Sequence, residues 1–475
     1  MDNTLENLRF RDETGRKTLT IRPGRTWKAA RRAGAAVLAL AVALAPVPSL
    51  ADSVPIVRDA EAEALLHDYL RPILKAAGVA MPDIRLVPSD AFNAFVTDRS
   101  HMFVNTGTII DSETPNELIG VLAHETGHIA ADDIARLTQQ IDETKTALLI
   151  ASILGIGAAA AGAASGSSDA ARAGSGIFSA APSIAERSLL TFHREQESAA
   201  DRAAIKYLNA TGQSGAGMLT TMKRLADQNL LLSQQVNPFL QTHPLPRERV
   251  IQLEALVNKS PYANAKDSPE LQRRHDLVRA KLVGFTWPPD RVLRRYPISD
   301  TSLAARYARA IVAYRTGRPG PAQEQIDALI KASPNDPYFY ELKGQSLLET
   351  GSPKQSVAPL RKAVALAPNS SILKILLAQA LMANDSPAYA DESIRLLTIS
   401  LQDEPDMGVA YRSLARAYAL KNDIPMAQLA TAQGLFVEGA YAEAKAQATR
   451  AQAKLKRGTP AWLRADDIVS YKPSK

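Results

Sequence analysis

A chain of 475 residues with 46% apolar content is too long for one ordinary core and too apolar for disorder, so two or three domains are expected. Its net charge of +7 gives no case for nucleic-acid binding: residues 1–51 hold nine Lys/Arg and four Asp/Glu, which puts +5 there and leaves +2 for the rest. With no cysteine, disulfides and thiolate metal ligands are excluded, and lipid attachment at a cysteine after a cleavage site is not expected.

Residues 1–51 read as a secretory signal. Lys28, Arg31 and Arg32 form its positive region, residues 35–47 its apolar stretch, and Ser49-Leu50-Ala51 a small–x–small cleavage site. The apolar run is shorter than the roughly 20 residues a membrane anchor needs. The expectation is cleavage after Ala51 and a periplasmic protein, with nucleic acid excluded as a partner. Residues 59–78 then predict an amphipathic helix closing on Gly78. Strands are expected at 83–87, 92–96 and 101–105, the last two as a hairpin. Thr114-Pro115-Asn116-Glu117 opens a helix, with Thr114 as N-cap, Pro115 at the first position and Glu117 completing a capping box. This helix is expected to run through His124 and His128 to about Asp133.

Residues 146–164 are apolar and rich in Ala and Gly, which gives little drive for insertion. A buried or lid-like helical hairpin over the active site is the preferred reading over a span, with 165–176 as a mobile loop and 146–180 able to touch a membrane surface. Residues 184–208 predict a long helix bearing Glu197 and Asp201. His243-Pro244-Leu245-Pro246 is a stiff break, and Gly284 to Pro289 a domain boundary. From about Thr301 the pattern shifts to helix pairs with a period near 34: Pro334 and Pro368 are 34 apart, and Pro405 follows after 37, with three residues added near 384–388. Tyr340, Gly344, Ala363, Tyr411, Leu414 and Ala427 fall on tetratricopeptide positions.

The chemical signal is His124-Glu125-Thr126-Gly127-His128. Positions i and i+4 share a helix face, so both imidazoles can reach one zinc ion, and Glu125 lies at the edge of that face. Glu125 is placed to accept a proton from the attacking water and pass it to the leaving amine. Set among Leu118, Ile119, Val121, Leu122 and Ile129, the polar trio would be costly to bury without a ligand. A catalytic zinc needs a third protein ligand. Glu197 and Asp201 share a face on the later helix, so one can bind metal while the other supports a ligating histidine. His193 and His101 are read as surface or packing residues, and His67 and His275 as bland.

Thr106-Gly107, Glu117-Leu118, the H-E-x-x-H helix, the Arg194-x-x-Glu197-x-x-x-Asp201 helix and Thr242-His243-Pro244 with Arg249 resemble the zinc peptidases that include HtpX and the CAAX prenyl proteases. The repeats and the export signal are similar to the periplasmic β-barrel assembly-enhancing type. The resemblance implies a mainly α chain: a zincin-like α+β metalloprotease domain with a small sheet at 52–283, a linker at 284–300, and an α-helical tetratricopeptide-repeat solenoid at 301–475. It implies one zinc on His124, His128 and Glu197, with Glu125 and Asp201 in the catalytic group. His243 and Arg249 would be regulatory or oxyanion-facing, His243 either as a fourth zinc ligand that holds the enzyme latent or as a donor to the oxyanion. The implied activity is a zinc metalloendopeptidase that degrades misfolded or stalled outer-membrane proteins, with unfolded outer-membrane proteins and the β-barrel assembly machinery as partners. A latent protease serving as assembly chaperone, or an HtpX-like membrane protease, are the competing readings.

Overall fold

Helix α1 (Ala60–Ala77) starts where the Asp59 side chain accepts from the Ala62 N–H at 2.8 Å, and stops where Gly78 turns left-handed at φ 73°. The computed structural model describes residues 56–165, 168–231, 243 and 247–472, with side chains outside 154–184, 186 and 228–231. The expected signal with its Ala51 cleavage site, and Thr242, Pro244, Leu245 and Pro246, lie outside the described residues. Strands β1 (Asp83–Val87), β2 (Ala94–Val96) and β3 (His101–Asn105) form a sheet in the order β1-β3-β2, with β1 parallel and β2 antiparallel to β3. The hairpin is as expected, but β2 is two residues shorter than 92–96. The Asn93 N–H and C=O bind the Thr108 hydroxyl at 2.8 and 2.6 Å, on the short helix α2 (Thr106–Asp111).

Helix α3 (Pro115–Ala131) carries the H-E-x-x-H motif. Thr114 caps it by accepting from the Glu117 N–H at 3.3 Å. The capping box is not reciprocal at Thr114: the Glu117 carboxylate accepts from the Glu113 N–H instead, at 3.3 Å. Asp132 ends the helix in the left-handed region at φ 57°. Two long helices follow, α4 (Asp133–Ser165) and α5 (Ser168–Ala210), packed side by side as a hairpin. The loop expected at 165–176 is a correction: helix resumes at Ser168, because Ala and Ser accept a helical backbone that the local Gly content disfavours only weakly. Nor is the expected apolar stretch buried where its side chains are described, at 146–153: Leu149, Ile150 and Ile153 are exposed. Among the described residues, no helix is long and apolar enough to cross a membrane.

Helices α6 (Ala216–Leu231), α7 (Arg247–Lys259) and α8 (Pro269–Thr286) complete the layer around α3. The segment 284–300 holds the end of α8, the buried Trp287 and helix α9 (Pro289–Arg295). The same core that contains Leu66, Ile109 and Leu122 continues through Val283, Trp287 and Val292 to Ala308 and Val312.

Beyond it come paired helices: α10 (Leu303–Arg315) with α11 (Pro319–Ala332), α12 (Pro337–Glu349) with α13 (Pro353–Leu366), α14 (Ser371–Met382) with α15 (Ala390–Asp403), and α16 (Gly408–Leu420) with α17 (Ile424–Val437). Helices α18 (Tyr441–Gln452) and α19 (Pro460–Ser470) close the array. First helices begin at 303, 337, 371 and 408, spacings of 34, 34 and 37. The longer spacing holds a 3₁₀ turn, Pro387–Tyr389, where the extra residues were expected. Among the described residues the chain is mainly α with one small sheet, as its sequence implies.

The array is joined to the preceding domain by buried charge. Lys281 on α8 lies 2.8 Å from Asp59 Oδ2, 2.8 Å from Glu341 Oε2 and 3.6 Å from Glu61 Oε2, and the Tyr307 hydroxyl donates to Glu61 at 3.0 Å. Arg58 makes a two-pronged contact with Glu404 at 2.5 Å, fastening the end of α15 to the start of α1.

Candidate metal centre

Four buried side chains from three parts of the chain converge. His124 and His128 come from α3, Glu197 from α5, and His243 from the segment before α7. The approach of α3 and α5 depends on Gly127, the second variable residue of the motif. A Cβ there would stand 3.0 Å from Ala200 Cα and 3.1 Å from Ala200 O, so a larger side chain would push the acidic helix away. The donor atoms define a small cage. His124 Nε2 is 3.1 Å from His128 Nε2 and 3.4 Å from His243 Nδ1; Glu197 Oε1 is 3.0 Å from His243 Nδ1 and 3.5 Å from His128 Nε2. A tetrahedron with arms of about 2.0–2.1 Å has edges of about 3.3–3.4 Å, so this donor set fits a four-coordinate metal ion.

Three of the four donor groups are held from behind, His124, His128 and Glu197. His124 Nδ1 stands 2.9 Å from Asp201 Oδ1. Arg249 on α7 grips Asp201 with Nε at 2.8 Å and Nη2 at 2.9 Å, and donates through Nη1 to Glu197 Oε2 at 2.8 Å. Glu197 Oε2 also lies 3.3 Å from His124 Nε2, so Arg249 holds the carboxylate against the cage. Asp201 was expected in the catalytic group and Arg249 as regulatory or oxyanion-facing. Asp201 sits behind His124, the supporting place the sequence offered to one of the two acids, and the Arg249 guanidinium is buried against two carboxylates.

The His128 support was not foreseen. Its Nδ1–H donates to Asp133 Oδ2 at 2.8 Å, and Gln196 Nε2 donates to Asp133 O at 3.0 Å. Asp133 reaches back only because Asp132 turns left-handed and starts a new helix direction. The Asp132-Asp133 pair at the helix end is the only trace in the sequence, and it looks like any solvated C-terminus. His193, expected as a surface or packing residue, comes within 4.0 Å of Glu197 Oε1 through Nδ1. His101 pairs with Asp98 in solvent, as expected. His275, read as bland, is fully buried between the Tyr69 hydroxyl at 3.1 Å and Ser112 O at 2.8 Å.

The electrostatics invite a cation. Burial opposes a charge on His124, yet Asp201 and Glu197 beside it raise its pKa to about 10. Burial likewise opposes the Glu197 anion, but the histidines of the cage hold its carboxyl well below the usual range. His243 is driven down to about 4 by burial, against the pull of Glu197, which favours the neutral ring with one nitrogen lone pair available. Glu125 is completely buried, and burial pushes it up to about 8. Both its carboxylate oxygens lack a hydrogen-bond partner among the described residues, with His243 Nε2 3.4 Å away. A partnerless buried carboxylate beside a donor cage marks a place for a ligand.

Residues 60–257 match the profile of peptidase family M48. Over most of its length the chain is similar to the beta-barrel assembly-enhancing protease of Yersinia pestis, at 24% identity over 87% of this chain and 84% of the relative. The protein of that name from Escherichia coli (strain K12) is 22% identical over 88% and 85%. Over 87 residues the chain is 41% identical to the protease HtpX homolog 2 of Methanosarcina acetivorans, covering 18% of this chain and 29% of that one. The span of the match holds the whole of α3 and α5, and with them the cage: residues 60–257 are a metallopeptidase domain of peptidase family M48.

Proposed function

We propose that the protein is an exported zinc-dependent endopeptidase kept latent by His243. The observation that carries this reading is the four-donor cage, in which the fourth corner is His243 Nδ1 rather than an open position. Zinc, when bound, supplies Lewis acidity toward a peptide carbonyl and acidifies water. Glu125, one residue past His124 and without a competing partner, takes the proton from the attacking water and delivers it to the leaving amine. His243 must leave its corner for a peptide to enter. It lies outside α3 and α5, so it can move without disturbing the helices that carry the other ligands.

The names of the relatives support a substrate class. Proteins called beta-barrel assembly-enhancing proteases match nearly the full chain, and on that basis the substrates are misfolded or stalled outer-membrane proteins in the periplasm. The helical array recruits them or the barrel-assembly machinery; its 34-residue period is that of tetratricopeptide repeats. The deciding experiment compares purified wild type with His243→Ala on an unfolded substrate. A latch predicts higher basal proteolysis with one zinc per chain retained. A fall of about 100-fold with zinc retained assigns His243 to the oxyanion instead and removes the latch.

A further inference from the structure

We infer that the start of the helical array is a docking site for an anionic phospholipid surface. Residues 289–323 contain seven arginines and two aspartates, a net +5, with no lysine or glutamate. Residues 1–51 hold another +5 of the total +7, so everything else in the chain sums to −3. The positive charge of the folded unit is therefore concentrated in one short segment.

The fold gathers part of that segment around a cavity of about 550 Å³ between α9, α10 and α11. Arg306, Arg309 and Arg318 line it together with Leu293, Ile298 and Val312, and no acidic residue does. Arg306 Nη2 donates to Ala328 O at 3.0 Å, and Arg309 Nη1 to Pro297 O at 2.6 Å. A carbonyl oxygen fixes a guanidinium in place without neutralising it. Asp300 feels the charge of Arg309, but its carboxylate is occupied by the Ser302 N–H at 2.9 Å. Two of the three cations are thus pre-oriented, and guanidinium forks match phosphate oxygens well.

The second observation is apolar. Ile298 is 86% exposed, the highest value among the exposed large hydrophobic residues described, and Leu293 beside it is 44% exposed. An isoleucine held in water at the rim of an arginine cluster is costly for a surface that meets only water. It is favourable for one that meets headgroups and the acyl boundary together. A peptide carboxylate would satisfy one guanidinium fork and leave the other charges unmatched, so the charge balance favours a layer of phosphates.

The chain from Asp52 on contains the whole compact unit 55–475 and is suited to vesicle co-sedimentation. Vesicles of one part phosphatidylglycerol to two parts phosphatidylcholine should retain it, pure phosphatidylcholine should not, and added salt should release it. Arg306→Gln, Arg309→Gln and Arg318→Gln combined should weaken retention about 100-fold, at about 5-fold per arginine. Ile298→Ser, which disturbs no packed neighbour, should weaken it about 10-fold with an unchanged melting temperature. Because the first two arginines also brace the backbone, Arg318→Glu alone is the control for folding. The proposal is overturned if wild type ignores anionic vesicles, or if these variants bind as wild type does while Ile150→Ser with Ile153→Ser abolishes binding. It is equally overturned if the cavity takes a peptide with a free carboxy-terminus but no vesicle.

Discussion

At the scale of single residues, the site divides into groups that would touch the reacting atoms and groups that hold them still. Glu125 belongs to the first. Its substitution by Gln should leave metal content at wild-type level and remove peptide hydrolysis, because no cage edge involves it. Metal analysis alongside a proteolysis assay checks both halves. Asp133 belongs to the second. Asp133→Asn replaces a charged acceptor with a neutral one behind His128 and should weaken metal affinity about 10–100-fold, read by chelator competition. The apoprotein should melt near the wild-type temperature; a large drop there would make Asp133 a fold residue instead. Gly127→Val tests the approach of the two helices. The added methyls have nowhere to go against Ala200, so Glu197 should be displaced and metal lost even with every ligand present.

At the scale of elements, buried polar groups set how the helices are tied together. Lys281 offsets three carboxylates on α1, its cap and α12, and burial pushes Glu61 among them up to about 8. Lys281→Met would leave those acids without their cation, at a cost of about 3–5 kcal/mol in chemical denaturation. His275 joins α8 to α1 and to the end of α2. Burial lowers its pKa from 6.5 to about 4, so between those values the unfolded chain binds the extra proton. Its contribution is therefore complete above 6.5 and lost as pH falls toward 4, up to about 3 kcal/mol. His275→Gln, which keeps a donor for Ser112 O but cannot take up a proton, should lose less stability between about pH 7 and about pH 5 in urea melts.

On the scale of the whole molecule, the catalytic domain and the array share one core. Leu277 on α8 packs with Tyr307, Ile311 and Phe339, and Ala308 and Val312 belong to the cluster that contains the motif helix. Ending the chain at residue 300 would expose these surfaces and strand Lys281. The truncated protein should melt below the full chain, and calorimetry of the full chain should show α10 unfolding with the catalytic domain. A separate low-temperature transition for the array, with the truncated form as stable as the full chain, would show that the shared core contributes little.

Local rules decided what is local. The cap at Thr114, the stop at Gly78, the 34-residue period and the pairing of His124 with His128 follow from side chains within a few residues of one another, and helical geometry converts that spacing into position. The i,i+4 pair of Glu197 and Asp201 was legible in the same way, as two acids on one face. Which of them faces the cage was not, because Arg249 decides it from a third helix by occupying Asp201 and one oxygen of Glu197. Asp133 stayed hidden because its role depends on a left-handed turn at an aspartate, which local propensity permits but does not require. The continuous core across 284–300 was hidden for a related reason. Pro and Gly there interrupt the helix pattern, whereas Trp287 and Val292 are core residues only because α10 packs over them. Position along a helix is set by the chain itself, but what a buried side chain meets across a helix interface is settled only when the elements close on one another.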